Sequence, residues 1–269
     1  MTQGVHLLVD VGNSQIKWCR AVSSSDEPMQ PAHAFPWEHD LLTNLLDNNW
    51  GSLKDSVTRV SVANVAGKQA QGILNQWCLD HWKITPEFIA TTAQFADIKN
   101  GYEHYQSLGI DRWLAVIAAH RLHPESANII IDCGSATTVD TVLPNGEHLP
   151  GPIILGQQSM IDSLLSKTDL ATYIPAENDT SQDSEAPQAI VKDTKSAILS
   201  GAKFATTRAL DAIVGDIEGQ LPQSSAINII ATGGAAQSVM SLSTLSTRKA
   251  YLHEPDLVLK GLACFIDNQ

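Results

Sequence analysis

Apolar and polar positions fall into short blocks along this chain, and the blocks change period in a repeating order. Strand-like runs lie at Leu7–Asp10, Gln15–Ala21, Ala32–Phe35, Arg59–Val62 and Glu87–Ala90, each ended by turn-forming residues. Helical spacing predicts helices over Glu38–Leu46 and Gly67–Trp82. A third begins near Asp111, where Leu114, Ala115, Ile117 and Ala118 recur at helical intervals. Only a few residues separate the first two strands, which predicts an antiparallel hairpin; later strands alternate with helices.

The order then starts again. Strands are predicted at Asn128–Ile131 and Thr137–Leu143, and a turn at Pro144–Glu147 leads into a further strand, with a hairpin as the expected arrangement. Helices follow at Gln157–Ser166 and Asp193–Ile217, then a strand at Ile227–Ala231, a Gly233-Gly234 turn, a helix, and a last helix over Asp256–Phe265. The stretch Pro175–Pro187 is acidic, small and turn-rich, and reads as a surface loop. Strand, hairpin and helix occurring twice predict two related α/β domains, one over residues 1–115 and one over 116–269.

Composition narrows the function classes. At 269 residues the chain can bury a large core, and 43% hydrophobic with 17% charged residues is ordinary for a folded soluble protein. With 29 acidic against 17 basic residues the net charge is −12, which argues against a nucleic-acid surface. A phosphorylated ligand must then be held by backbone amides, a metal ion and a few placed cations. No window approaches the roughly 20 apolar residues that span a bilayer, and the first residues show no signal peptide. Cys19, Cys78, Cys133 and Cys264 are scattered without a C-x-x-C pair, as expected of free thiols in a reducing cytoplasm. His120 and His123 lie close in sequence but lack a third ligand nearby, so they read as a helix end closed by Pro124 rather than a metal site.

Two strand ends carry the same polar device. After Val9 comes Asp10-Val11-Gly12-Asn13-Ser14-Gln15-Ile16-Lys17, and after Ile131 comes Asp132-Cys133-Gly134-Ser135-Ala136-Thr137-Thr138. A glycine there lets backbone amides approach a ligand closely, and Ser14 and Lys17 add a hydroxyl and a cation for phosphate oxygens. Asp10 repels phosphate unless a Mg²⁺ ion or its waters lie between them. A plain hairpin turn also favours Asp, Gly, Asn and Ser, so the first loop alone leaves both readings open. The second copy shifts the weight to two loops clamping an oligophosphate across a cleft, and Gly233-Gly234 repeats the strand-end glycine before a helix. Asp111 stands at a helix start with Arg112 beside it. It serves either as an ordinary helix N-terminal acid or as the acceptor of a proton from a hydroxyl attacking a γ-phosphate. In the second case the Arg112 fork suits a carboxylate on the substrate.

The segments DVGNSQIK, YEHYQSLGIDRW, DCGSATTVD, GPIILG, DTKSAILSGA, TGG and EPDLVLKGL, from about Leu7 to Leu262, resemble in content and order those of type III pantothenate kinases. That family belongs to the acetate and sugar kinase, heat-shock and actin superfamily. The resemblance implies two actin-like ATPase (ribonuclease H-like) domains flanking a nucleotide cleft, and ATP-dependent phosphorylation of pantothenate at its primary hydroxyl. It further implies that Asp10, Val11, Gly12, Asn13, Ser14, Gln15, Ile16 and Lys17 bind ATP, with Asp10 at Mg²⁺, directly or through water. Ser135 is implied as a further ATP contact. Asp111 is implied as the proton acceptor; Tyr102, Gly109, Ile110, Arg112 and Thr194 as substrate contacts, Thr194 at a homodimer interface; and Asp132 as the ligand of a monovalent cation, K⁺ or NH₄⁺. A cytoplasmic homodimer without nucleic-acid or membrane partners is the corresponding expectation.

The chain departs from the family pattern in places. Ser135 replaces the more usual threonine and keeps the hydroxyl. Tyr105 stands where proline is common, and Pro152 and Leu155 stand where the family often has Gly and Pro, which bears on pocket shape rather than on the reaction. Two alternatives share the fold: a non-catalytic accessory factor for transcription, and another small-molecule kinase of the superfamily. The acidity and the retained Asp111 weigh against the first, and the G-x-D-R-W placement before the second loop weighs against the other.

Overall fold

The computed structural model describes residues 4–21, 32–53, 57–170, 186–222, 226–248 and 251–267; positions 175–185 of the predicted surface loop lie outside them. The chain divides into two compact units. One comprises Met1–Leu122 with Asn145–Glu147 and Asp256–Gln269, the other His123–Pro144 with His148–Pro255.

In the first unit, β1 (Val5–Val11) and β2 (Gln15–Ala21) form the expected antiparallel hairpin, with Asp10 opposite Lys17 and Val11 opposite Ile16. β3 (His33–Pro36) flanks β2, while β4 (Val57–Asn64) and β5 (Glu87–Phe88) add in parallel on the other side, giving the order β3-β2-β1-β4-β5. Leu7, Val9 and Val11 alternate into a core with Val60, Val62, α1 (Leu42–Trp50) and α2 (Gly67–Trp82). This core holds five of the six tryptophans: Trp18, Trp37, Trp50, Trp77 and Trp82. Trp50 is central, with ring centroids 5.7 Å from both Trp77 and Trp82 and 6.3 Å from Trp18.

The short hairpin of β6 (Gln94–Phe95) and β7 (Ile98–Lys99) precedes α3 (Ile110–Leu122), which is buried along almost its whole length. The last helix, α8 (Leu257–Asp267), packs on α3, and the two also meet β1 and β4. Gly261 makes this approach possible, since a Cβ there would overlap the Leu114 carbonyl. Period two along β1 then places Leu8 and Asp10 on the face opposite the tryptophan core, the side that α3 and α8 cover.

The second unit repeats the first sheet. β8 (Ala127–Cys133) and β9 (Ala136–Val142) are antiparallel; β10 (His148–Leu155) flanks β9, and β11 (Ile227–Thr232) and β12 (Leu252–His253) add in parallel, in the order β10-β9-β8-β11-β12. Ile129, Ile131, Cys133 and Val139 face a core with α5 (Thr194–Gln220) and α6 (Ala236–Leu242). α4 (Gln157–Ser166) packs on α5, and α7 (Leu245–Arg248) follows α6. β10 is an edge strand with an irregular register between Pro150 and Ile153, where the missing proline N–H of Pro152 costs no ladder bond.

This division differs from the expected boundary between residues 115 and 116. That boundary would cut α3 through its buried middle, whereas the whole helix stays with the first unit. The last helix also returns there, because its apolar face is buried against α3 and β1.

Candidate active site

In the first unit, the β1–β2 turn presents the predicted loop. Gly12 N–H donates to Gln15 O at 3.0 Å and closes the turn, while Asn13, Ser14 and Gln15 are exposed. Asp10 and Lys17 are half-buried cross-strand partners on one face of the sheet. The buried residues Val11 and Ile16 anchor the loop to the core. Trp37 supports it from behind, through its backbone N–H to Ser14 O at 3.3 Å and its indole N–H to Gly12 O at 2.9 Å. On the other side Val65 N–H donates to Val11 O at 3.0 Å.

Asp111 lies in the first turn of α3 and is half-buried; its Oδ1 accepts the Arg112 backbone N–H at 2.8 Å. The Gly109 carbonyl accepts the first helical bond, from Trp113 N–H at 3.1 Å. Val65 connects this turn to the first loop, because its Cγ1 lies 3.9 Å from where a Gly109 Cβ would stand. Asp10 and Asp111 therefore belong to the same end and the same covered face of the first sheet.

Arg112 is only 6% exposed. Its Nη1 donates to the Tyr102 hydroxyl at 2.8 Å, and its guanidinium carbon lies 5.6 Å from the centre of that ring. Tyr102 thus orients the planar fork as well as lining the segment. The segment is held from below, where Thr91 Oγ1 donates to Leu108 O at 2.9 Å and the Trp113 indole N–H donates to Thr92 Oγ1 at 3.1 Å.

The second unit builds the equivalent loop with different supports. Gly134 N–H donates to Ala136 O at 3.0 Å, Gly156 N–H to Ser135 O at 3.0 Å, and Ala235 N–H to Cys133 O at 3.0 Å. Ser135 is exposed and Asp132 half-buried. Gly233, at φ +90°, lies directly against the Asp132 carboxylate, and a Cβ there would overlap Asp132 Oδ1 and the Cys133 carbonyl. The Ala235 and Ala236 amides after the glycine pair donate to the Cys133 and Gly233 carbonyls, so these two are already engaged rather than left for a nucleotide. Burial, reinforced by the Asp132 charge, pushes the Cys133 thiol up to about 12, which keeps it a protonated core residue. Thr194 opens α5 beside Asp193, whose carboxylate caps the helix by accepting Ser196 N–H at 2.8 Å.

Three features here escaped the sequence pattern. Trp37 reads only as an aromatic after a short strand, and Gly156 only as the end of GPIILG. Asp140 and His148 are 3% and 0% exposed at their side chains and 3.1 Å apart; neither stands at a loop that pattern would single out. His120 is buried against Asp97 at 3.2 Å.

The type III pantothenate kinase family model matches residues 6–216. The chain is 34% identical over 261 residues to the type III pantothenate kinase of Nitrosococcus oceani, covering 96% of this chain and 92% of that protein. It is 30% identical over 262 residues to that of Janthinobacterium sp. strain Marseille, covering 95% of each. Among solved structures it resembles a conserved protein from Campylobacter jejuni assigned to the Baf family of transcriptional activators, with TM-score 0.55, 18% identity and 97% of each chain covered. The activator of the 2-hydroxyisocaproyl-CoA dehydratase from Clostridium difficile gives TM-score 0.56 at 9% identity, covering 98% of this chain and 94% of that one. At these identities the structural likenesses concern the fold, which is that of the actin-like ATPases.

Proposed function

The chain belongs to the type III pantothenate kinase family, and from that membership we infer the roles of its loop and helix residues. It transfers the γ-phosphoryl group of ATP to the primary hydroxyl of pantothenate, giving 4′-phosphopantothenate at the entry to coenzyme A biosynthesis.

Asp111 acts as the general base. Its carboxylate takes the hydroxyl proton as the pantothenate oxygen bonds to the γ-phosphorus; the bond from that phosphorus to the β–γ bridging oxygen breaks, and ADP leaves with the electron pair. The observation that carries this role is the position of Asp111 on the first turn of α3, tied through Val65 to the loop that starts at Asp10. Arg112 and Tyr102 hold the substrate from the next position, with Gly109 and Ile110 in the same contact segment; the Arg112 fork suits the pantothenate carboxylate.

Loop residues Asp10 to Lys17 hold the ATP phosphates, with Lys17 supplying the cation; Ser135 is a further proposed ATP contact through its hydroxyl. Mg²⁺ fits Asp10. No three His, Cys, Asp or Glu side chains among the described residues gather into a metal site, as suits an ion that keeps waters and phosphate oxygens as its other ligands. Bound there, it would neutralise charge developing on the phosphates. Asp132 is the proposed contact for K⁺ or NH₄⁺. Thr194 contacts the substrate at the interface of a homodimer. No helix among the described residues is long and apolar enough to cross a membrane, and a cytoplasmic location suits cysteines that form no disulfide among the described residues.

The test is phosphorylation of pantothenate by the purified protein with Mg-ATP, with and without potassium, beside an Asp111→Asn variant. Product formation by the parent protein and its loss in the variant are expected. A fully active Asp111→Asn protein would remove the assigned base, and a parent protein inert with potassium present would remove the substrate.

A further inference from the structure

The two sheets hold their hairpin loops with the same backbone bond. In each unit the residue that follows the third strand donates its N–H to the loop serine: Trp37 to Ser14 O, and Gly156 to Ser135 O. The two positions then diverge. Gly156 lies flat against its loop, and a Cβ there would overlap the Gly134 and Ser135 carbonyls. Trp37 instead adds a second bond, from its indole N–H to Gly12 O at 2.9 Å, and the residue is buried in the tryptophan core.

We propose that Trp37 is a positioning residue for ATP, setting the direction in which the first loop presents its backbone amides. A trans peptide is planar, so the carbonyl of one residue and the N–H of the next point in opposite directions. No cis peptide occurs among the described residues. Holding Gly12 O against the indole therefore aims the Asn13 N–H away from the core. Asn13, Ser14 and Gln15 are all exposed.

Glycine is permissive about its backbone angles, so the Gly12–Asn13 peptide needs an outside restraint to keep one orientation. The turn's own bond, Gly12 N–H to Gln15 O, leaves the Gly12 carbonyl to be fixed by Trp37. Phosphate oxygens are bound by convergent backbone N–H groups in many such loops. This role rests on the reading that residues 10–17 hold ATP.

Trp37→Phe keeps a ring in the core and removes only the indole donor. Trp50→Phe makes the same chemical change in the same core, at an indole whose N–H has no hydrogen-bond partner among the described residues. We expect Trp37→Phe to raise the KM for ATP about three- to tenfold, the weight of one hydrogen bond, with the KM for pantothenate unchanged. Trp50→Phe should lower thermal stability and leave the KM for ATP at its parent value. The role is overturned if Trp37→Phe leaves the KM for ATP unchanged, if it moves both KM values alike, or if Trp50→Phe raises the KM for ATP equally. Lys17→Ala separates the two levels. If it raises the KM for ATP while Trp37→Phe does not, the Trp37 role fails and the loop reading stands; if it too has no effect, the loop reading itself fails.

Discussion

Gly109→Ala tests the base through a contact that only one atom makes. The Gly109 carbonyl starts α3, and Gly109 is not among the glycines with positive φ, so alanine suits the backbone. A Cβ at this position would stand 2.5 Å from Asp111 Oδ1, whereas the next neighbours, Asp111 Cγ and Val65 Cγ1, are 3.6 and 3.9 Å away. Non-bonded heavy atoms settle near 3.5 Å, so the carboxylate oxygen must retreat by about 1 Å. The retreat also loosens the 2.8 Å bond from Arg112 N–H to that oxygen. Because the obstructed atom is the far end of a side chain, the fold itself gives way little, and stability should change by about 1 kcal/mol or less. Catalysis should not be spared. A reacting group misplaced by about 1 Å costs about 100-fold in rate, so kcat should fall by about that factor with the KM for ATP unchanged. The assay is steady-state release of ADP dependent on pantothenate, run beside a thermal melt. A kcat near the parent value in a protein of unchanged melting temperature would refute the assignment of Asp111.

The remaining predictions follow from the same geometry. Asp111→Asn should lower kcat by about 10² to 10⁴ with ATP binding retained, measured by titration with a non-hydrolysable ATP analogue. Tyr102→Phe removes the hydroxyl 2.8 Å from Arg112 and should raise the KM for pantothenate about tenfold, the weight of a charged hydrogen bond, while the KM for ATP stays put. Gly233→Ala combines a φ of +90° with overlap onto the Cys133 carbonyl and should cost roughly 1–3 kcal/mol or more, read as a lower melting temperature. EDTA should abolish activity and excess Mg²⁺ restore it. Exchange of potassium for sodium should slow the parent enzyme but not an already slow Asp132→Asn variant; equal sensitivity of the two would remove Asp132 as the cation contact.

Local pattern carried most of the elements, because each strand or helix here buries one consistent face. Gln15–Ala21, Gly67–Trp82 and Gln157–Ser166 are observed at their expected bounds, since turn residues or glycine mark their ends. The antiparallel first hairpin was legible from its short connection. What pattern could not supply was long-range return of the chain. Nothing local to Leu257–Asp267 says that it packs on α3 rather than on its neighbours in sequence, and that packing moves the unit boundary from residue 115 to residue 122. The candidate site divides in the same way. Asp10, Asp111 and Asp132 stand at strand or helix ends, where a sequence motif singles them out as candidates. Trp37, Gly156 and the Asp140–His148 pair act through contacts across strands, which a one-dimensional pattern does not contain.

The two loops share a frame because the two sheets repeat the same strand order. The frame is backbone: a turn closed by the glycine N–H, a bond from the residue after the third strand, and a bond from the segment after the fourth. Backbone bonds constrain sequence weakly, so the two loops carry different side chains on the same frame. In the first unit the face that carries Asp10 is covered by α3, whose first turn brings Asp111 and Arg112 to the same sheet end. In the second, the face that carries Asp132 also carries Thr138, Asp140 and Thr232 by register and period, and Gly233 closes against the carboxylate. An acid hemmed in by glycine backbone has little freedom to follow a moving proton, which suits a fixed cation contact. An acid on the first turn of a helix, half-buried and with its Oδ1 accepting the next amide, suits proton transfer. The division of labour proposed for Asp132 and Asp111 thus matches what each sheet packs against the carboxylate, although the strand order is the same in both.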